Sequence, residues 1–105
     1  AHYAVMVARS RSATGPFEKM PGTPTPAILA KGGIWHAPGH NSVIRDENGT
    51  DWMVYHAVDV RVPRTKPTDE VNTRRIMLID PILYQGGWPR IGGGVPSTGP
   101  RPRPD

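Results

Sequence analysis

The sequence predicts an all-β chain of short antiparallel strands. Three observations lead there. Proline and glycine number 13 and 12 in 105 residues, and that density of backbone punctuation leaves little room for long helices. Short runs of strand formers recur at residues 3–8, 41–45, 51–58 and 74–80, each bounded by turn residues. Between two of these runs stands Asn48-Gly49, a strong hairpin signal.

The elements follow in order. Residues 3–8 (Tyr-Ala-Val-Met-Val-Ala) read as a strand ending at Arg9-Ser10-Arg11-Ser12, with a turn at Thr14-Gly15-Pro16. Residues 21–26 carry three prolines, which remove three donors and exclude helix or central strand. Ile28-Leu29 is a brief apolar step, and Lys31-Gly32-Gly33 turns the chain. Residues 41–45 and 51–58 form a hairpin about Asp46 to Gly49. On the returning strand Trp52, Val54 and His56 share one face, and Met53, Tyr55 and Ala57 the other, so both faces call for cover. Residues 59–73 read as a long polar loop, of the kind that is functional or disordered. A third strand at 74–80 is interrupted by Pro81, with Ile82-Leu83-Tyr84 continuing past a bulge. Gln85-Gly86-Gly87 turns into a short edge strand, Trp88 to Ile91, and the Gly- and Pro-rich tail from Gly92 reads as extended or mobile.

From residue 41 to 91 this is about 50 residues in four antiparallel strands, the size of one β-propeller blade. A lone blade cannot bury both its faces, so the chain reads as a fragment or subunit of something larger.

Composition narrows the function classes. Apolar residues make up 36%, a figure that twelve glycines bring into the globular range. No window approaches 18 uninterrupted apolar residues, which excludes a membrane-spanning helix, and no signal peptide is visible. Cysteine is absent, so disulfides and thiolate metal sites are excluded while the compartment stays open, a secreted protein included. The net charge is +4, but the arginines are scattered and no block of like charge forms. Nucleic-acid binding lacks the interleaved aromatics it would use.

Four segments carry a resemblance. Residues 3–18 read YAVMVARSRSATGPFE, residues 38–46 PGHNSVIRD, residues 49–57 GTDWMVYHA, and residues 75–91 RIMLIDPILYQGGWPRI. In this order they resemble the last part of glycoside hydrolase family 43, which holds arabinanases, α-L-arabinofuranosidases and β-xylosidases on a five-bladed β-propeller. Three departures stand out. Ala37 takes the place of a usual Gly before Pro-Gly-His, Tyr84 that of a Trp, and Gly86 that of an Asp before Gly-Trp-Pro.

The resemblance implies the end of a fourth blade at residues 1–30, a fifth blade at 31–95 and a Pro-rich tail at 96–105. It also implies that the family's catalytic Asp, Asp and Glu all lie upstream, so that no catalytic residue is expected here. Glu18, Asp46, Glu47, Asp51, Asp59, Asp69, Glu70 and Asp80 sit mostly in turns or at strand ends, where a solvated charge is expected. His40 of Pro-Gly-His is the candidate metal-side residue, facing a channel ion read as calcium. Imidazole is an unusual calcium ligand, so waters would complete the shell. The alternative is a hydrogen-bonded interior His. Trp35 and His36 are the candidate substrate-binding residues, with inter-blade packing the alternative for Trp35. His56 reads as packed and hydrogen-bonded, and Trp88 as blade-closing. Arg74 and Arg75 read as a solvated strand end, or as partners for a carboxylate from another blade. His2 is uninformative.

Two readings of function remain. In one, the chain is the C-terminal part of an inverting hydrolase of α-L-arabinofuranosyl or β-D-xylosyl links in arabinan, arabinoxylan or xylan. Its partner is then a second chain carrying the other blades and the catalytic carboxylates. In the other, it is a self-associating, non-catalytic carbohydrate-binding module.

Overall fold

A computed structural model describes residues 3–21, 27–61, 75–99 and 104. His2, Arg74, residues 22–26 and most of the 59–73 loop lie outside the described residues. The eight strands are β1 (Val5–Met6), β2 (Ala8–Arg9), β3 (Glu18–Lys19), β4 (Ala27–Leu29), β5 (Trp35–Arg45), β6 (Asp51–Asp59), β7 (Arg75–Gln85) and β8 (Trp88–Arg90). Among the described residues the only helical element is a 3-10 turn at Gly92–Gly94.

β5 to β8 form a four-stranded sheet in sequence order, every pair antiparallel. β1 pairs with β4 and β2 with β3, so these four strands form a broken hairpin. The run at residues 3–8 is therefore two short strands, interrupted at Val7. Two other boundaries differ from expectation. β5 begins at Trp35, because the Pro38-Gly39 step is bridged by bulges. β7 runs unbroken through Pro81, which stands opposite Trp52 in regular register. β8 pairs β7 only from Leu83 onward, so at Pro81 one flank of β7 is free and a missing N–H is tolerated.

Strand register assigns the two faces. Met53, Tyr55 and Ala57 stand opposite Asp80, Leu78 and Ile76, and this face is covered. Its core joins Met53, Tyr55, Ile82, Trp88 and Ile91 to Met20, Ile28 and Leu29 of the leading hairpin, with Val5 and Val7 packed beside them. The other face is largely open. Met77 is 75% exposed there, Ile44 and Leu83 are exposed, and Val54 and Ile79 are half-buried, while Trp52 at the turn end is buried. The expectation that both faces need cover is met on one side only.

Polar bonds close the ends. In the β5–β6 turn, Asp46 accepts from the Asn48 and Thr50 amides through Oδ1 (3.0 and 2.9 Å) and from the Trp52 indole through Oδ2 (2.9 Å). Gly49 supplies the left-handed residue at φ +80°. Arg9 joins hairpin to sheet: it lies 3.8 Å above the Trp88 ring and donates to Gly86 and Gly87 carbonyls and to Glu18. The stretch from Gly92 to Ser97 is docked rather than loose. Gly94 accepts from the Ala30 amide at 2.9 Å, and a Cβ on Gly32 would meet Val95 at 2.3 Å.

Three of the carboxylates expected to be solvated, Asp51, Asp59 and Asp80, are buried, while Glu18 and Glu47 are exposed. Asp80 is 1% exposed and accepts from the Tyr55 hydroxyl at 2.6 Å and the Ser97 amide at 3.3 Å. Asp59 accepts from Arg61. Asp51 accepts from Arg45 at 2.7 and 3.0 Å and from the Tyr84 hydroxyl at 2.5 Å, so the Tyr that replaces the expected Trp brings a donor. The Arg45 and Tyr84 bonds hold the Asp51 carboxyl down to about 2, from an ordinary 3.8. A group depressed in this way stabilises the fold above about pH 4, and the contribution is lost as pH falls through about 2. Asp51→Asn should lower stability at neutral pH and flatten the acid limb of a urea-midpoint profile between pH 4 and 2. An unchanged acid limb would show that Asp51 does not carry it.

Candidate functional site

The site is built on β5, an edge strand of the four-stranded sheet. From His36 to Gly39 the strand advances three residues while β6 retreats two, from Val58 to His56; from Gly39 to Ser42 the same happens again. Each step is a one-residue bulge, which re-aims side chains. Each contains a non-glycine residue in the left-handed region, Ala37 at φ +52° and His40 at φ +53°. Such backbone costs of order 1–3 kcal/mol per residue and persists where surroundings over-determine it.

Arg75, the first residue of β7, supplies the constraint. Its guanidinium donates to the Ala37 carbonyl inside the first bulge, to the His56 carbonyl at 3.1 Å, and to His56 Nδ1. Accepting at Nδ1 requires a neutral His56 ring with its proton on Nε2. Burial, the Arg75 charge and the His40 ring all push the His56 pKa down. Tyr3 reaches in from the chain's first segment and lies under Arg75, 5.3 Å from ring centre to guanidinium. Gly39 leaves room for that ring, since a Cβ there would meet Tyr3 at 3.1 Å.

His40 is exposed, and its ring lies 5.3 Å from that of His56. His36 is also exposed, across the first bulge on the same strand. Trp35 is 7% exposed, and its indole N–H donates to the Ser97 carbonyl at 3.0 Å. The structure thus brings His40 and His56 together, leaves His36 open, and covers Trp35 with the C-terminal stretch. Arg75 is half-buried and bonded rather than a solvated strand end. Among the described residues no three His, Asp or Glu side chains converge as a metal site, and the ring beside His40 is the His56 imidazole. A calcium ion prefers six to eight oxygens, which these residues do not supply.

Arg75 as a clamp and Tyr3 as its floor were not read from the sequence. The signal for the strained bulge was present: Ala37 stands where the resembling family places Gly, the residue that tolerates positive φ.

Comparison with known proteins identifies the chain. The model for glycosyl hydrolases family 43 matches residues 1–89. The chain belongs to that family. Among solved structures it is similar to a xylan β-1,4-xylosidase from Bacillus halodurans C-125, with 22% identity and a TM-score of 0.62. The match covers 99% of this chain and 21% of that one. No curated protein matches. The likeness in fold makes the β5–β8 sheet a family 43 propeller blade.

The bulges generate a prediction. Ala37→Gly should stabilise the protein by about 0.5–1 kcal/mol, because glycine relieves the left-handed strain at modest entropic cost. A melting temperature raised by a few degrees is the expected result; a lowered one would show that the buried Ala37 methyl group contributes more than the strain costs.

Proposed function

We propose that this chain is the C-terminal part of an inverting glycoside hydrolase acting on β-D-xylosyl or α-L-arabinofuranosyl linkages in xylan, arabinoxylan or arabinan. The observation that carries the proposal is the family match over residues 1–89, joined to a blade whose second face leaves Ile44, Met77 and Leu83 exposed. An apolar face of this kind marks a contact surface. Its proposed cover is the part of a five-bladed ring that bears the catalytic Asp, Asp and Glu. The carboxylates of Asp46, Asp51, Asp59 and Asp80 are each held in structural bonds, which favours a catalytic set elsewhere.

In an inverting reaction one carboxylate activates water while an acid protonates the leaving oxygen from the other side. This chain's part is to close the ring and line one wall. His40 faces the channel with its ring backed by neutral His56, and His36 lies at the rim where substrate enters. Trp35 supports that rim from beneath. A calcium ion beside His40 would draw its oxygens from water and from the rest of the ring, and no chemical step is assigned to it.

Co-expression with the upstream blades tests the proposal. The expected result is a stable complex that releases xylose or arabinose from aryl glycosides, while this chain alone releases none. A folded homo-oligomer that binds xylan and excludes the upstream part would instead establish the non-catalytic module. In the completed enzyme, His40→Ala should lower kcat/KM by about tenfold or more. Unchanged kinetics would show that His40 has no part in the reaction.

A further inference from the structure

We propose that the groove on the β2–β3 hairpin loop binds a phosphate monoester of a small sugar. Residues 10–17 join the two strands. Short-range bonds fix their course. The Ser12 amide donates to Ser10 Oγ at 3.1 Å, the Gly15 amide donates to the Ser12 carbonyl at 3.1 Å, and the Ser12 and Thr14 hydroxyls lie 3.2 Å apart. Gly15 turns the chain back at φ +92°, with the Phe17 ring 3.1 Å from where a Cβ would stand. The groove so formed holds about 610 Å³, within the ~300–1,000 Å³ usual for ligand sites.

Most open polar groups of the groove are donors. Arg11 lines it, is exposed, and holds no partner among the described residues. Arg9 lines it too, and its Nε and Nη1 are tied to Glu18 and to the Gly86 and Gly87 carbonyls. Its Nη2 is thereby a donor already in place. Ser10 Oγ accepts from the Ser12 amide, which leaves its own hydrogen to donate. Two guanidiniums and a hydroxyl suit the three outer oxygens of a phosphate monoester, where a carboxylate offers two. Glu18 decides the rest of the ligand. Its Oε1 takes Arg9 at 2.6 Å, and Oε2 is left to accept from a sugar hydroxyl. A bare oxyanion would leave Glu18 and most of the volume unused, and a neutral sugar would leave Arg11 unmatched. A sugar bearing a phosphate uses both.

Completion of a ring leaves this groove open. Arg9 and Glu18 stand opposite each other in register, and Arg9 reaches the β7–β8 turn, so the groove lies on the side of the hairpin turned to the β5–β8 sheet. That neighbour is already in place. The exposed Ile44, Met77 and Leu83 lie on the other face of the sheet, and no residue of the His40 cluster lines the groove. The inference goes beyond the hydrolase reading and stands on the groove alone.

The test is amide NMR of the labelled chain in the assembly that co-expression yields, whether with the upstream blades or as a homo-oligomer. It is titrated with ribose 5-phosphate, ribose, inorganic phosphate and galacturonate. Ribose 5-phosphate should shift amides of residues 9–18, and the other three should not at equal concentration. Arg11→Gln should weaken binding at least tenfold, with Arg11→Lys intermediate. Arg11 is exposed and without a partner, so its loss should leave the remaining spectrum unchanged. Lys31→Gln removes one positive charge outside the groove and should leave binding intact. Equal shifts from inorganic phosphate or galacturonate would reduce the groove to a general anion site and overturn the proposal. Equal binding of ribose, no shift at all, full binding by Arg11→Gln, or an equal loss in Lys31→Gln would overturn it too. An assembly that binds the sugar phosphate and hydrolyses nothing would sink only the hydrolase reading. An active enzyme with no such shift would sink only this site.

Discussion

A sheet of four strands has two faces to remove from water, and the distribution of apolar residues in this chain follows from that constraint. The leading hairpin is too irregular to stand alone: its strands are two or three residues long. It is held because Met20, Ile28 and Leu29 bury against Met53, Tyr55 and Ile82. The same logic leaves the opposite face wanting. Ile44, Met77 and Leu83 are spaced along β5 and β7 where a second layer would lie. Burying a side chain of this size is worth about 1.5–3 kcal/mol, so several together weigh heavily against the few kcal/mol that hold a small domain folded. A sheet that alternates apolar residues on both faces is designed for two neighbours.

The polar interior has a matching role. Asp46, Asp51, Asp59 and Asp80 lie in turns or near strand ends, and each bonds to a neighbour that fixes geometry. Asp80 ties the central strand pair to the C-terminal stretch through Tyr55 and Ser97. The Ser97 carbonyl in turn takes the Trp35 indole, so the same stretch covers the start of β5. Removing one partner of such a bond leaves a buried group unsatisfied, at about 1–3 kcal/mol or more for a charge. The carboxylates are thereby committed to architecture, and one committed in this way is poorly placed to move protons.

Much of the fold was legible in the chain because its signals are local. Period-two alternation in residues 51–58 and the Asp46-to-Gly49 turn predicted the central hairpin, and Gly86-Gly87 the closing one. The misses come from long-range terms. Pro81 reads as a break, but β8 starts too late to need its donor, and that depends on the register of a different strand. The glycine-rich stretch after Gly92 reads as loose, yet Val95 finds the one spot, above Gly32, where a missing Cβ makes room. Of the candidate site, His40 was legible through its motif. The clamp around it was not, since Tyr3, Ala37, His56 and Arg75 come from four separate parts of the chain.

That clamp bears on how the site works. Two left-handed residues within four positions of one strand are unfavourable for anything but glycine, and His40 carries a full imidazole through that conformation. The ladder alone would not hold it, because both bulges interrupt the pairing of β5 with β6. Arg75 does so with three bonds to two backbone carbonyls and one ring nitrogen, and Tyr3 and Gly39 close the space beneath. The same bonds exclude a protonated His56, so the ring beside His40 carries no charge. A side chain presented on strained backbone and backed by a neutral ring has fewer orientations to lose when a ligand or a neighbouring blade arrives. The entropy of ordering it is spent on folding, not on binding.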